Sequence, residues 1–185
     1  MSILNRLKSI HLSRFSKPPA DRPIYRAIAR QQVRTIVELG VGTGTRSRRM
    51  IEQAQRCGSA GEVCYTGIDL FETRGDDVSI GLPLIEAHRM LKATGASVQL
   101  VPGDPFSALA RVANSLGGTD LVVISADQDR NSLQRAWFYL PRILHQQSVV
   151  FIEEPGKDDA QYALRRMTQD EIERLASPNA RRRAA

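Results

Sequence analysis

The densest chemistry in the chain lies in Thr35-Ile36-Val37-Glu38-Leu39-Gly40-Val41-Gly42-Thr43-Gly44-Thr45, an apolar run that ends in a carboxylate and then in three alternate glycines. The run predicts a strand. The glycines predict a tight strand-to-helix turn whose backbone a ligand can approach with no Cβ in the way. Such a loop suits a phosphate-sized or nucleoside-sized group. Further acids follow later apolar runs: Asp69, Asp104, Asp127, and Glu153 with Glu154. Carboxylates accept from ribose hydroxyls and amines, balance a positive centre, and serve as general bases.

To bring these acids to one place the chain must alternate strand and helix. Short apolar or β-branched runs predict strands at 35–39, 63–69, 98–102, 121–125 and 149–153. Helices are predicted between them at 45–56, 83–94, 106–116 and 130–144, with Pro83 in a first turn, Gly95 as a stop and Pro141 ending or kinking the fourth. Residues 161–167 predict one more strand, and Thr168-Gln169-Asp170-Glu171 is a capping box opening a short helix to Ala176. The expected fold is α/β: a doubly wound, mainly parallel Rossmann-like sheet of five to six strands with helices on both faces. Ligands then sit beyond the carboxyl ends of the strands, where every acid named above falls. An edge left on such a sheet needs cover from the N-terminal helix, the charged tail or a second copy, so a homodimer is an open expectation.

At 185 residues and 42% hydrophobic, the chain suits one domain, assigned to 24–176. Ahead of it, 1–23 combines an amphipathic helix, with Ile3, Leu4, Leu7 and Ile10 at helical spacing, and a linker at 16–23 containing Pro18, Pro19 and Pro23. Residues 177–185 form a basic tail expected to be disordered. The formal charge of +6 is concentrated at the ends: residues 1–34 alone hold eight Lys or Arg against Asp21. Basic ends around an acidic body do not by themselves indicate nucleic acid, although salt-dependent phosphate attraction by the N-terminus stays open. No apolar run approaches the roughly 20 residues of a membrane span, and the N-terminus lacks a secretory core, so the expected location is cytoplasmic. Cys57 and Cys64 have no metal or redox spacing and read as two unpaired thiols.

A dinucleotide fingerprint would need a third glycine where the chain has Thr45 or, in the other register, Ser47. The string Glu38-Leu39-Gly40-Val41-Gly42-Thr43-Gly44 instead resembles the first motif of class I S-adenosylmethionine-dependent methyltransferases, E/D-x-G-x-G-x-G. The resemblance spans roughly residues 33–154. It implies that Glu38, Gly40, Gly42 and Gly44, with Thr43 in the same turn, pack against the methionine and ribose of that cofactor. It likewise implies that Asp69 binds the ribose hydroxyls and that Asp104 lies near the adenine amino group. Residues 121–128 look like the fourth motif, bordering the reacting methyl. Ser125 stands where some small-molecule O-methyltransferases of the family carry a metal-binding acid, so no metal site is assigned.

Methyl transfer needs alignment and, for a hydroxyl or amine, removal of a proton. Asp127 and Glu153 are the candidate catalytic residues, with Glu154 beside them; His88 and His145 fall away from the carboxyl edge. The expected function is methyl transfer from S-adenosylmethionine to an unidentified acceptor, a small molecule or a macromolecule, with a small molecule preferred over a nucleobase. A nucleobase acceptor is disfavoured because N/D-P-P-Y/F is missing and aromatics are only 5%. Two other readings stay open: a non-catalytic methyltransferase-like interaction or regulatory module, and a dinucleotide-binding protein.

Overall fold

The computed structural model of the chain describes residues 3–58, 61–74, 81–155 and 162–177. Six strands form one sheet: β1 (Thr35–Leu39), β2 (Cys64–Asp69), β3 (Ser97–Pro102), β4 (Thr119–Ile124), β5 (Leu144–Pro155) and β6 (Tyr162–Arg166). Their spatial order is β3-β2-β1-β4-β5-β6, with the first five parallel and β6 antiparallel to β5. The order reverses between β1 and β4, so the chain leaves those two strands in opposite directions and opens a crevice at their carboxyl ends.

The strands are apolar on both faces because helices cover both. Ile36 of β1, Leu121 and Val123 of β4, and Val149 and Phe151 of β5 pack on α2 (Arg22–Gln31), α3 (Thr45–Cys57) and α4 (Leu84–Lys92), through Ile24, Ile28, Met50, Ile51 and Leu91. The alternate residues, Val37, Leu39, Val122, Ile124 and Val150, face α5 (Pro105–Val112), α6 (Arg130–Ala136), α7 (Leu140–Ile143) and α8 (Gln169–Ala176). This period of two, buried on each side, is why the strands read as continuous hydrophobic runs.

Three segments depart from the local expectations. The helix expected over 130–144 is two helices, α6 and α7, and Pro141 lies in the first turn of α7 rather than at an end. A proline ring clashes with the carbonyl four residues back, here Trp137, so the break falls just before Pro141 while its missing N–H costs nothing in a first turn. Strand β5 runs from Leu144 to Pro155, beyond the 149–153 expected, because β4 pairs along one side of it and β6 along part of the other. The segment 16–23, read as a linker, contains a single 3-10 turn (Pro19–Asp21) and the opening of α2.

The N-terminal helix α1 (Ile3–Phe15) lies against α2 and α3. Gln53 donates to the Ser9 hydroxyl at 2.7 Å, and that hydroxyl lies 3.2 Å from the Cys57 sulfur. At the other end, the Thr168 hydroxyl accepts from the Glu171 amide while the Glu171 carboxylate accepts from the Thr168 amide, which completes the capping box expected before α8. The tail beyond Ser177 lies outside the described residues. Cys57 is buried, Cys64 is exposed, and both are free thiols. Among the described residues no helix is long and apolar enough to cross a membrane.

Candidate functional site

The turn after β1 takes a left-handed backbone at Gly40, Gly42 and Gly44, with φ of +94°, +56° and +67°. Two of these positions have opposite surroundings. Met90 occupies the space a side chain at Gly44 would fill, so this end of the turn is packed from below. A side chain at Gly42 would meet nothing within 4 Å, so here the backbone faces open space. The turn is braced by Asp69 at the end of β2, which is only 5% exposed. Its Oδ2 accepts from the Val41 and Gly42 amides at 2.7 and 2.9 Å, and its Oδ1 accepts from the Leu70 amide at 2.6 Å. The Arg74 guanidinium also pairs with Oδ2. Spare acceptor capacity on Asp69 therefore lies on Oδ1.

Beneath the turn, Glu38 is fully buried. One oxygen accepts from Arg46 Nε at 2.8 Å, and the other from the Ser47 and Tyr65 hydroxyls at 2.5 and 2.6 Å. Burial, and then the charge of Glu38, hold the Tyr65 phenol well above its ordinary range. Arg46 is the hub of the site. Its guanidinium also donates to Glu153 at 2.6 Å and to the Ser125 hydroxyl, and stands 3.9 Å from Asp21. Although burial alone would lower the Arg46 pKa, Glu38 and Glu153 outweigh it and raise it further, so Arg46 stays charged. One guanidinium cannot neutralise three carboxylates. Asp21, 4% exposed, is pushed up to about 6, first by burial and then by Glu153 and Glu38 against the opposing pull of Arg46.

Neither Arg46 nor Asp21 was among the residues singled out from sequence. Arg46 did leave a signal: a cation in the first turn of a helix opposes the helix dipole, and its placement there implies acids close by. Asp21 left only a faint one, as the single acid in a basic, proline-rich stretch.

Five of the residues expected at the site, Gly40, Gly42, Thr43, Asp127 and Glu153, line a single cleft of about 320 Å³ at the carboxyl ends of β1, β4 and β5, together with Asp21, Arg46 and Arg49. Asp127 is exposed there and accepts from the Gln128 side chain at 2.9 Å. Glu153 is more constrained: Oε1 takes Arg46, and Oε2 accepts from the Ala126 amide at 3.2 Å. Ser125 donates to the Gly40 carbonyl at 3.0 Å and so ties the end of β4 to the glycine turn.

The remaining expected residues stand apart from the cleft lining. Glu38, Gly44 and Asp69 support the turn from below. Asp104 caps α5, accepting from the Phe106 and Ser107 amides at 3.0 and 3.1 Å and from the Ser132 hydroxyl of α6. Burial works to raise its pKa, but the Ser107 and Ser132 hydroxyls and the two amides outweigh it and hold Asp104 at about 2. Glu154 pairs with Arg165 at 2.9 Å, and His145 lies 3.0 Å from Asp120 at the opposite end of the sheet. Among the described residues no cluster of three His, Cys, Asp or Glu could hold a metal ion.

A six-stranded, mainly parallel sheet with a glycine turn after β1, an acid closing β2 and an antiparallel last strand has the fold of the class I S-adenosylmethionine-dependent methyltransferases. Solved structures agree. An O-methyltransferase from Bacillus cereus, in complex with S-adenosylhomocysteine, aligns at a TM-score of 0.56 and 14% identity over 86% of this chain and 70% of its own. The O-methyltransferase TomG of Streptomyces achromogenes, in complex with S-adenosylmethionine and involved in tomaymycin synthesis, aligns at 0.52 and 15% over 83% of this chain and 66% of its own. An O-methyltransferase family protein from Burkholderia thailandensis aligns at 0.52 and 16%, over 84% of this chain. The chain spans only 42% of the length of that last protein. No protein-family model matches the chain, and no curated protein matches it in sequence.

Proposed function

We propose that the chain binds S-adenosylmethionine over the glycine turn and transfers its methyl group to a small-molecule acceptor in the adjoining cleft. The observation behind this reading is the open backbone at Gly42 beside a cleft at the switch point of the sheet. The charges fit the ligand. Asp21, Asp127 and Glu153 line the cleft against Arg46 and Arg49, with Glu38 buried below, so acids outnumber cations around a ligand whose sulfonium and ammonium outweigh its single carboxylate. In this reading Gly40, Gly42 and Thr43 border the methionine and ribose portions, the spare lone pair of Asp69 Oδ1 takes a ribose hydroxyl, and Asp104 lies toward the adenine. The cofactor supplies a methyl group already activated for displacement.

The protein's own part is to orient the acceptor and take its proton. Asp127 is the exposed carboxylate in the cleft and serves as the general base. Asp21, with its pKa raised to about 6, is a second group able to hold that proton. Glu153 orients the acceptor, with Arg46 on one of its oxygens and the Ala126 amide on the other.

The scaffold reading has one observation in its favour: Arg74 covers an oxygen of Asp69, the acid that would meet the ribose. Isothermal titration calorimetry with S-adenosylmethionine, S-adenosylhomocysteine and NAD separates the readings. Micromolar binding of the first two without NAD is the expected result. Binding of NAD alone would favour a dinucleotide site, and binding of none would leave the fold as a scaffold.

A further inference from the structure

Beside the cleft, and sharing Pro18, Glu153 and Tyr162 with it, runs a larger groove of about 590 Å³. The 3-10 turn and the start of α2 form one wall through Pro19, Ala20 and Pro23, and β6 forms the other through Ala163 and Leu164. Among the described lining residues, the only polar side chains are Glu153 and Tyr162, and both belong to the end where groove and cleft meet. Side-chain polarity is thus confined to the junction. The rest of the groove is lined by proline, alanine and leucine.

That distribution specifies an occupant. Its body is apolar, because a buried polar group there would find no side-chain partner. Its polar end lies at the junction, where Glu153 Oε2 holds one amide hydrogen bond and keeps capacity for a donor. Its body is uncharged, because no described Lys or Arg lines the groove and the nearest cations, Arg46 and Arg49, line the adjoining cleft instead. We infer that this groove seats the methyl acceptor, a neutral compound with an apolar body and its hydroxyl at the Glu153 end, facing the glycine-turn cleft. The inference rests on the methyltransferase reading for the word acceptor and on the groove's lining alone for the chemistry of its occupant.

The test uses 2-naphthol as probe on the full chain, with naphthalene as the control lacking a hydroxyl. Binding is followed by methyl NMR at Ala20, Ala163 and Leu164 and by probe fluorescence. The expected result is a saturable shift of those methyls by 2-naphthol, with naphthalene bound about tenfold or more weakly, the factor for one retained hydrogen bond of about 1.4 kcal/mol. Ala163→Trp, which fills the groove with a side chain that β-strands favour, should weaken 2-naphthol at least about tenfold while leaving S-adenosylhomocysteine affinity unchanged. Shifts absent from these methyls, or 2-naphthol affinity unaltered in Ala163→Trp, overturn the inference even where S-adenosylhomocysteine binds. If 2-naphthol binds as expected and S-adenosylhomocysteine does not, the groove's chemistry stands and the methyltransferase reading falls.

Discussion

Replacing Asp21 with asparagine should make the protein more stable at neutral pH and remove part of its dependence on pH. Asp21 is 4% exposed, with Arg46 at 3.9 Å, Arg49 and Tyr25 close by, and the carboxylates of Glu153 and Glu38 facing it through the Arg46 hub. Its pKa rises from 3.8 to about 6 on folding. At about 1.36 kcal/mol per unit, this shift corresponds to about 3 kcal/mol. The sign follows from proton counting. Between the unfolded and folded values the folded state keeps a proton that the unfolded state has released. The contribution is therefore fully present below pH 3.8 and is lost as the pH rises through about 6. Asparagine cannot lose that proton. Urea unfolding of parent and Asp21→Asn from about pH 4 to 8 should show the stability difference growing by about 3 kcal/mol in favour of the variant and then levelling off above about pH 6. The long Tyr25 hydrogen bond, 3.5 Å, adds at most an offset independent of pH in this range. A difference that stays constant across the range would refute the assignment of a raised pKa to Asp21.

Three further substitutions probe other parts of the site. Arg46→Met strands Glu38, fully buried, without its counter-charge, and should cost about 3–5 kcal/mol in urea unfolding; a loss below about 1 kcal/mol would remove Arg46 as the hub. Gly42→Val forces a β-branched residue to φ +56° and places it on the open face of the turn, so calorimetry should find S-adenosylhomocysteine affinity abolished. Parental affinity in that variant is incompatible with a ligand over the turn. Asp104→Ala removes the cap of α5 and should lower stability by about 1–2 kcal/mol and also weaken S-adenosylhomocysteine; unchanged affinity would leave Asp104 as a helix cap alone.

Much of the architecture was legible because it is decided at short range. The run from Thr35 to Leu39 forms a strand with the expected bounds, the glycines turn the chain where they stand, and Thr168 with Glu171 opens the last helix through bonds spanning three residues. Each of these outcomes depends on local dihedral preference, side-chain period or capping. Gly-Asp-Pro, too, is a turn that ends in a helix cap, and Asp104 makes one.

What no local rule could supply is which charged groups meet. Arg46 reaches Glu153 across 107 positions and Ser125 across 79, and the turn at Pro19–Asp21 reaches the same cleft from a stretch that reads as a linker. By strand and turn rules alone, Glu38, Asp69 and Glu153 are equivalent acids at strand ends. In the fold one is sealed beneath the glycine turn, one braces its amides and one is held by an arginine, while Asp127 stays exposed in the cleft. The sequence by itself determined the strands, the turn and the edge of the sheet where the acids gather, because backbone sterics and hydrophobic period act within a few residues. The pairing and desolvation that set each acid's charge were decided by the tertiary structure alone, because Coulombic partners and burial depend on distance in space and not on separation along the chain.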